Sequence, residues 1–124
     1  MNEEIGKKIW IIADGYISEK STGSFPSHES ICVLNLSEVQ AEISISIYFE
    51  DKEPMEKFKA TCCAKKTNHI RLDNIKDEDG NKVPVGTPYA IKVESNIPVV
   101  VQHTRLDTTQ EAMALMTTMA YPLA

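Results

Sequence analysis

Three features are scarce in this sequence, and each scarcity excludes a class of protein. The three cysteines, Cys32, Cys62 and Cys63, are odd in number and include no C-x-x-C pair, so they predict neither a disulfide framework nor a zinc or redox motif. No apolar run is long enough for a membrane span, and the run at residues 9–13 is too short for a signal segment. Basic residues are outnumbered, which gives a net charge of −5 and argues against nucleic acid as a partner.

The remaining composition is that of an ordinary globular protein. The chain has 124 residues, of which 42% are hydrophobic and 25% charged, and this predicts one domain spanning residues 1–124. With no export signal and no disulfide pattern, we expect a cytoplasmic location with reduced thiols. The sequence has no nucleotide loop, nucleophile elbow or zinc-protease motif, so we expect no cofactor and no enzyme activity.

Hydrophobic residues recur mainly with the period of a β-strand. In residues 41–50, apolar side chains at odd positions alternate with polar or partly polar ones at even positions, which is typical of a half-buried strand in an antiparallel sheet. Further strands are predicted at residues 8–13, 29–36, 57–63, 67–72, 89–94 and 99–106, separated by turn residues. Short strands without intervening helices favour an all-β fold, either a sandwich or a small barrel.

Two segments depart from this pattern. Residues 15–27 contain Ser, Thr, Gly and Pro without any period, and unstructured loops of this length are usually functional or disordered. After Asp107, the segment Thr108-Thr109-Gln110-Glu111 fits a helix capping box. Residues 117–121 also read as a strand, so we predict a short helical turn followed by a short terminal strand.

A near-repeat is the sharpest internal feature. His69-Ile70-Arg71-Leu72-Asp73 and His103-Thr104-Arg105-Leu106-Asp107 share the pattern His-x-Arg-Leu-Asp. In a strand, His and Arg two positions apart lie on one face, and together they could hold a carboxylate, a phosphate or sugar hydroxyls. We expect the two segments to face a common cavity. The alternative is that each is an exposed strand face.

Other candidate binding residues carry weaker signals. Trp10 could stack on a ligand, although a core tryptophan is the favoured interpretation. His28 and Glu29 begin a strand directly after the long loop. The three histidines His28, His69 and His103 lack the spacing of a zinc site, so no metal is predicted.

Several segments together resemble the sensory rhodopsin transducer family. They include Ala13-Asp14-Gly15-Tyr16-Ile17, Ser27-His28-Glu29, His69-Ile70-Arg71 and, most specifically, residues 95–107, in collinear order from about Trp10 to Tyr121. Ser18 departs from the family pattern, where a proline is expected, so the start of the loop is predicted to be less rigid. The resemblance implies a two-sheet antiparallel, jelly-roll-like β-sandwich, a homotetramer, and binding of sugar-like small molecules or of a membrane sensory receptor. The residues it implies for ligand binding are Trp10, His28, Glu29, His69, Arg71, Gln102, His103 and Arg105.

Three functions therefore remain open from the sequence. The first is a sensory adaptor that binds a small sugar-like or anionic molecule. The second is a protein-interaction module without a small ligand, and the third is a carbohydrate-active enzyme using His and Glu. The first is the reading that best accounts for the paired imidazole and guanidinium groups.

Overall fold

The regular secondary structure consists of β-strands. The computed structural model describes residues 4–124, and no helix there is long and apolar enough to cross a membrane. The strands are β1 (Lys7–Gly15), β2 (His28–Asn35), β3 (Ala41–Phe49), β4 (Met55–Cys62), β5 (Lys66–Arg71), β6 (Tyr89–Asp107), β7 (Ala114–Met119) and β8 (Tyr121–Leu123). The predicted all-β fold is confirmed, because β-branched and aromatic residues alternate with polar ones along most of these segments.

One long strand, β6, belongs to two antiparallel sheets. The first sheet has the order β4–β3–β6–β1–β8, and the second has the order β5–β2–β6–β7. Residues 89–99 of β6 pair with β3 and β1, whereas residues 100–107 pair with β2 and β7. The two sheets form the sandwich that the sequence predicted.

Strand β6 bulges between its two halves. From the pair Lys7–Val99 to the pair Ile9–Glu94, β1 moves two residues (7 to 9) while β6 moves five (99 to 94). Pro98 lies in this bulge, where its missing N–H is tolerated. The sequence predicted two separate strands on either side of Pro98, whereas the structure joins them into one irregular strand.

The inner faces of the two sheets share one hydrophobic cluster. Ile31 from the second sheet and Ile45 and Val93 from the first are each 0% exposed. Burial of an aliphatic side chain of this size stabilises the fold by about 1.5–3 kcal/mol. This cluster holds the sheets together, and the functional candidates are placed relative to it.

The predicted helical turn after Asp107 is wrong. The Thr108 hydroxyl lies 3.1 Å from Ser27 Oγ, and the Thr109 N–H donates to Asp107 Oδ1 at 2.8 Å. The groups expected to cap a helix are therefore used in a turn and in a contact with the long loop. The predicted terminal strand is present, but it begins earlier, as β7, and continues as β8.

Candidate functional site

A carboxylate lies inside the sandwich, on the inner face of the second sheet. Glu29 is 0% exposed and shares this face of β2 with Ile31 and Val33, which are also 0% exposed. Arg105 of β6 is its direct cross-strand partner, and His103 lies on the same face of β6 two residues away. An ionised group so far from water requires charged or hydrogen-bonding partners.

Both oxygens of this carboxylate have partners within the chain. Oε1 of Glu29 accepts a hydrogen bond from the Tyr89 hydroxyl at 2.5 Å and lies 3.1 Å from Nε2 of His103. Oε2 accepts hydrogen bonds from Nε of Arg105 at 2.6 Å and from the backbone N–H of Tyr16 at 2.9 Å. We refer to Glu29, Tyr89, His103 and Arg105 as the Glu29 cluster.

His103 is the least well satisfied member of the Glu29 cluster. Its side chain is 1% exposed, and Nε2 lies 3.1 Å from Oε1 of Glu29. The ring is not oriented so that Nε2 points at Oε1 of Glu29, however, and Nε2 therefore has no well-formed hydrogen bond. A buried polar atom in this state costs about 1–3 kcal/mol, which sets it apart from the three well-bonded groups.

The partners of Glu29 keep it ionised. Burial alone raises the pKa of a carboxyl group, but the contacts from His103, Tyr89, the Tyr16 N–H and Arg105 outweigh burial and hold the pKa of Glu29 below its ordinary value. Burial raises the pKa of the Tyr89 hydroxyl, and the neighbouring Glu29 charge raises it further. Tyr89 therefore acts as a neutral donor to a charged acceptor.

The Glu29 cluster connects parts of the chain that are distant in sequence. Tyr89 is at the start of β6 and Arg105 is near its end, so one carboxylate links the two halves of the bent strand. Nη2 of Arg105 also reaches β1, where it lies 3.3 Å from the backbone oxygen of Asp14 and 3.4 Å from its Oδ1. The site thus joins β1, β2, both ends of β6 and the first residue of the long loop.

A cleft lies beside the exposed end of the cluster. Arg105 keeps 25% of its side chain exposed and borders a cleft with a volume of about 130 Å³. The other lining residues all carry a hydroxyl group or a carboxylate except Leu106; they are Tyr16, Ser18, Ser27, Leu106, Asp107 and Thr109. Such a surface can offer hydrogen bonds to a small polar molecule.

The long loop forms one wall of this cleft and is fixed by specific bonds. The Thr22 N–H donates to the Thr108 backbone oxygen at 2.6 Å, and the Gly86 N–H donates to the Ile17 oxygen at 2.7 Å. The Ser27 hydroxyl donates to the Lys20 oxygen at 3.0 Å and accepts from the Thr108 N–H at 2.9 Å. The loop is therefore an ordered part of the site.

The two His-x-Arg segments do not face a common cavity within the chain. His69 is opposite Cys32 on β2, whereas His103 is opposite the neighbouring residue Ile31. Adjacent strand residues point to opposite faces, so His69 lies on the exposed outer face while His103 lies inside. Within one chain the expected shared cavity does not form, because the two histidines pair with positions of β2 that differ by one.

Four of the candidate residues lie on the outer face of the second sheet. Arg71 makes a bidentate ion pair with Asp73, at 2.8 Å and 2.6 Å, and is thus occupied by a neighbour on its own strand end. His28 places Nδ1 2.9 Å from the Pro26 oxygen, and His69 and Gln102 flank Cys32. Within residues 4–124, no cluster of three or more potential metal ligands occurs.

Trp10 belongs to the core rather than to a binding surface of the single chain. It is 4% exposed, and its indole N–H is shared between the backbone oxygens of Lys7 at 3.0 Å and Val99 at 3.1 Å. The bond to Val99 holds β1 beside the bulge of β6, whereas the bond to Lys7 lies within β1. A stacking role would require this ring to leave the core.

Sequence reasoning found Glu29, His103 and Arg105 but not the other groups that complete the site. Tyr89 follows a loop rich in turn residues and carries no local signal. Asp14 and Tyr16 lie within a segment that carries the family resemblance, and that position was the one available signal for them. The contribution of Tyr16 is made by its backbone and depends on the path of the loop.

The fold and the site define a class: a two-sheet β-sandwich with a shared, bulged strand and a buried carboxylate cluster at the edge of a polar cleft. The chain belongs to the Anabaena sensory rhodopsin transducer family, whose model matches residues 5–122. The predicted family resemblance is confirmed.

Two solved structures are similar over most of the chain. The crystal structure of Thermotoga maritima 1070 has 37% sequence identity and a TM-score of 0.86, and the match covers 96% of this chain and 97% of that one. The Anabaena sensory rhodopsin transducer has 40% identity and a TM-score of 0.75, covering 88% of this chain and 96% of that one. Among curated proteins, no sequence match was found.

Proposed function

We propose that this protein is a cytoplasmic sensory adaptor that passes on a signal through contacts with other protein chains. Membership of the transducer family supports this role, as does 40% identity to a sensory rhodopsin transducer. A membrane sensory receptor, such as a sensory rhodopsin, is the partner that this similarity favours. The cytoplasm fits the free thiols of Cys32, Cys62 and Cys63.

The observation that carries this proposal is the exposure of β7. All six residues of Ala114–Met119 are exposed, and β7 pairs with β6 alone in the part of the chain described. Leu115 is 69% exposed, Met119 52% and, just beyond, Tyr121 67%. Apolar side chains gathered on an unpaired strand edge mark a contact surface.

We assign this edge, with Leu115 and Met119 on one face of β7, Met116 on the other and Tyr121 just beyond, first to self-association. An unpaired edge strand can pair with the same strand of a second copy, which makes a closed two-fold contact. Two such contacts through different surfaces would give the homotetramer that the family resemblance implies. The receptor would then bind the assembled form.

Size-exclusion chromatography with light scattering tests this assignment. We expect the wild-type chain to be larger than a monomer and Leu115→Asp to reduce its mass. Val39→Asp is the matched control, because Val39 is also an exposed apolar residue, at 57%, but lies between β2 and β3. A monomeric wild-type protein, or equal masses for wild type and Leu115→Asp, would contradict the assignment.

Receptor binding is measured separately with a purified sensory rhodopsin in detergent. We expect binding by the wild type and by Val39→Asp, and weaker binding by Leu115→Asp. Equal binding of the two variants would place the receptor contact elsewhere, and no binding by any of them would argue against a rhodopsin partner.

A second candidate function rests on the cleft beside Arg105. Its hydroxyl-rich lining and its mixed charges from Arg105 and Asp107 suit a small polyhydroxylated molecule better than a strongly charged one. A ligand that binds only the folded chain raises the melting temperature. We expect at least one compound in a panel of sugars and small anions to do so, with the shift lost in Asp107→Asn and kept in His69→Ala. Unchanged melting across the panel would remove this candidate.

The contacts of Glu29 give no support to an enzymatic role. A general base needs a free position directed at a substrate, whereas Glu29 is 0% exposed and both oxygens are engaged by groups of its own chain.

A further inference from the structure

We propose that the Glu29 cluster is a latch that couples the cleft beside Arg105 to the position of β7. The inference rests on the proposed function, since it gives the cleft and the β7 surface a reason to communicate. The coupling would run through the contacts of one carboxylate, Glu29, and of one threonine, Thr108.

Two residues that line the cleft are bonded to the carboxylate of Glu29. Oε2 of Glu29 accepts from the Tyr16 N–H at 2.9 Å and from Arg105 Nε at 2.6 Å. Tyr16 and Arg105 both line the cleft. A molecule in the cleft that shifts either residue therefore changes the bonds of the same oxygen.

Arg105 is in turn paired with β7. Arg105 is the cross-strand partner of Met116, and the adjacent pair is joined by its hydroxyl groups, with Thr104 Oγ1 3.2 Å from Thr117 Oγ1. Within residues 4–124, β7 has no strand neighbour other than β6. A displacement of the end of β6 is therefore carried directly to β7.

A parallel connection runs through Thr108, which lies between β6 and β7. Thr108 is 0% exposed, its backbone oxygen accepts from the Thr22 N–H, and its N–H donates to Ser27 Oγ. The loop wall of the cleft is thereby bonded to the segment that leads into β7. The two connections start from opposite ends of the same loop.

The unsatisfied nitrogen of His103 supplies a second arrangement for the latch. Nε2 is 3.1 Å from Oε1 but badly aligned. A rotation of the carboxylate towards His103 would form a well-directed bond there and would weaken the bonds of Oε2 to the loop and to Arg105. The rotation would gain one charge-assisted hydrogen bond, worth about 1.5–3 kcal/mol, and would weaken two others without breaking either. A small ligand that favours one of these two arrangements shifts the chain towards it.

Amide hydrogen exchange on the full chain tests the coupling. Glu29→Gln removes the charge, so we expect the exchange of residues 16–22 and of residues 114–119 to accelerate together, by about tenfold for each 1.4 kcal/mol of local stability lost. Strand β4, at the far edge of the first sheet, should accelerate less than either segment. Asp73→Asn is the matched control, since it breaks an ion pair on the outer face and should leave both segments unchanged.

The pattern of exchange decides the outcome. Acceleration confined to residues 16–22, or an equal acceleration of β4, would overturn the latch, because the first shows no transmission and the second shows general destabilisation. If Glu29→Gln does not fold, Tyr89→Phe, which removes a single bond to Oε1, is measured with the same criteria. The wild type and each variant are compared at a concentration where light scattering gives them equal mass.

This experiment uses neither a ligand nor a partner. A negative result in the sugar panel or in the rhodopsin assay would therefore remove the proposed function and leave the coupling standing. Unchanged exchange of β7 in Glu29→Gln would remove the coupling and leave the proposed function standing.

Discussion

Substituting Glu29 with glutamine keeps the shape of the side chain and removes its negative charge. In the wild-type chain the carboxylate is 0% exposed and its Oε2 lies 2.6 Å from Nε of Arg105. Removing one partner of a buried ion pair costs about 3–5 kcal/mol. Because Arg105 is 25% exposed, water can hydrate the guanidinium that remains. We therefore expect the variant to lose about 3 kcal/mol of unfolding free energy near neutral pH, the lower end of that range.

The same substitution should flatten the dependence of stability on pH. The folded chain holds the pKa of Glu29 below its ordinary value of 4.5, so on acidification the unfolded chain takes up this proton first. The stabilisation is therefore fully present above the ordinary pKa and is lost as the pH falls through the lowered folded pKa. Glutamine has no such proton, so the difference in stability between the wild type and Glu29→Gln should shrink with acidification below about pH 4.5.

Urea unfolding at several pH values, followed by the fluorescence of Trp10, measures both effects. Glu42→Gln is the control, because Glu42 is exposed on β3 and surface changes of this kind stay within about 0.5 kcal/mol. Equal stability of Glu29→Gln and the wild type near neutral pH would refute the assignment of Glu29 as a buried, charged partner. A difference that persists undiminished in acid would refute the reasoning about its pKa.

Three further changes test the surroundings of the site. Thr108→Val removes a buried hydroxyl that contacts Ser27 Oγ at 3.1 Å, and it should lower the free energy of unfolding by about 1–2 kcal/mol in a urea titration. Thr87→Val is the control, because the hydroxyl of Thr87 makes an exposed hydrogen bond and its loss should have little effect. Gly15→Ala would place a methyl group 2.2 Å from Cε1 of Tyr89, so overpacking should lower the free energy of unfolding by about 1–3 kcal/mol. A melting temperature equal to that of the wild type would contradict this, because it would show that the Tyr89 ring can move aside. Trp10, at 4% exposure, should show blue-shifted emission and little quenching by acrylamide, and strong quenching in the folded protein would contradict its place in the core.

The sandwich was predictable because most strands carry their own pattern. In β3, Ile43, Ile45 and Ile47 are 0–1% exposed at alternate positions, as the period of two requires. The continuity of β6 was not predictable, because Pro98 usually marks a strand boundary and the pairing across the bulge is set by β1. The helix-like segment after Asp107 was misread because the bonds of Thr108 are made to Ser27, far away in sequence.

The candidate site could be predicted only within a strand. The spacing of His103 and Arg105 places them on one face wherever the strand lies, and both belong to the Glu29 cluster. Which face is buried depends on the register with β2, where His69 is opposite Cys32 and His103 is opposite Ile31. The segments of His69 and His103 are nearly identical in sequence, yet one histidine is on the outer face of the sheet and the other is in the interior. No local feature of the sequence distinguishes the two segments.

Burying the charges of the Glu29 cluster costs desolvation energy that apolar side chains in the same place would not cost. A buried ion pair is often no more stabilising than apolar side chains of the same volume, and the core around Ile31 and Val33 shows that this face of β2 readily packs aliphatic groups. Unlike an isoleucine, a carboxylate at this position accepts hydrogen bonds from Tyr89, from Arg105 and from the loop backbone at Tyr16. Those bonds connect the loop, β2 and both ends of β6 through one side chain. The position of Glu29, at the meeting point of the loop, the cleft and both ends of β6, is therefore the physical basis for the coupling proposed above.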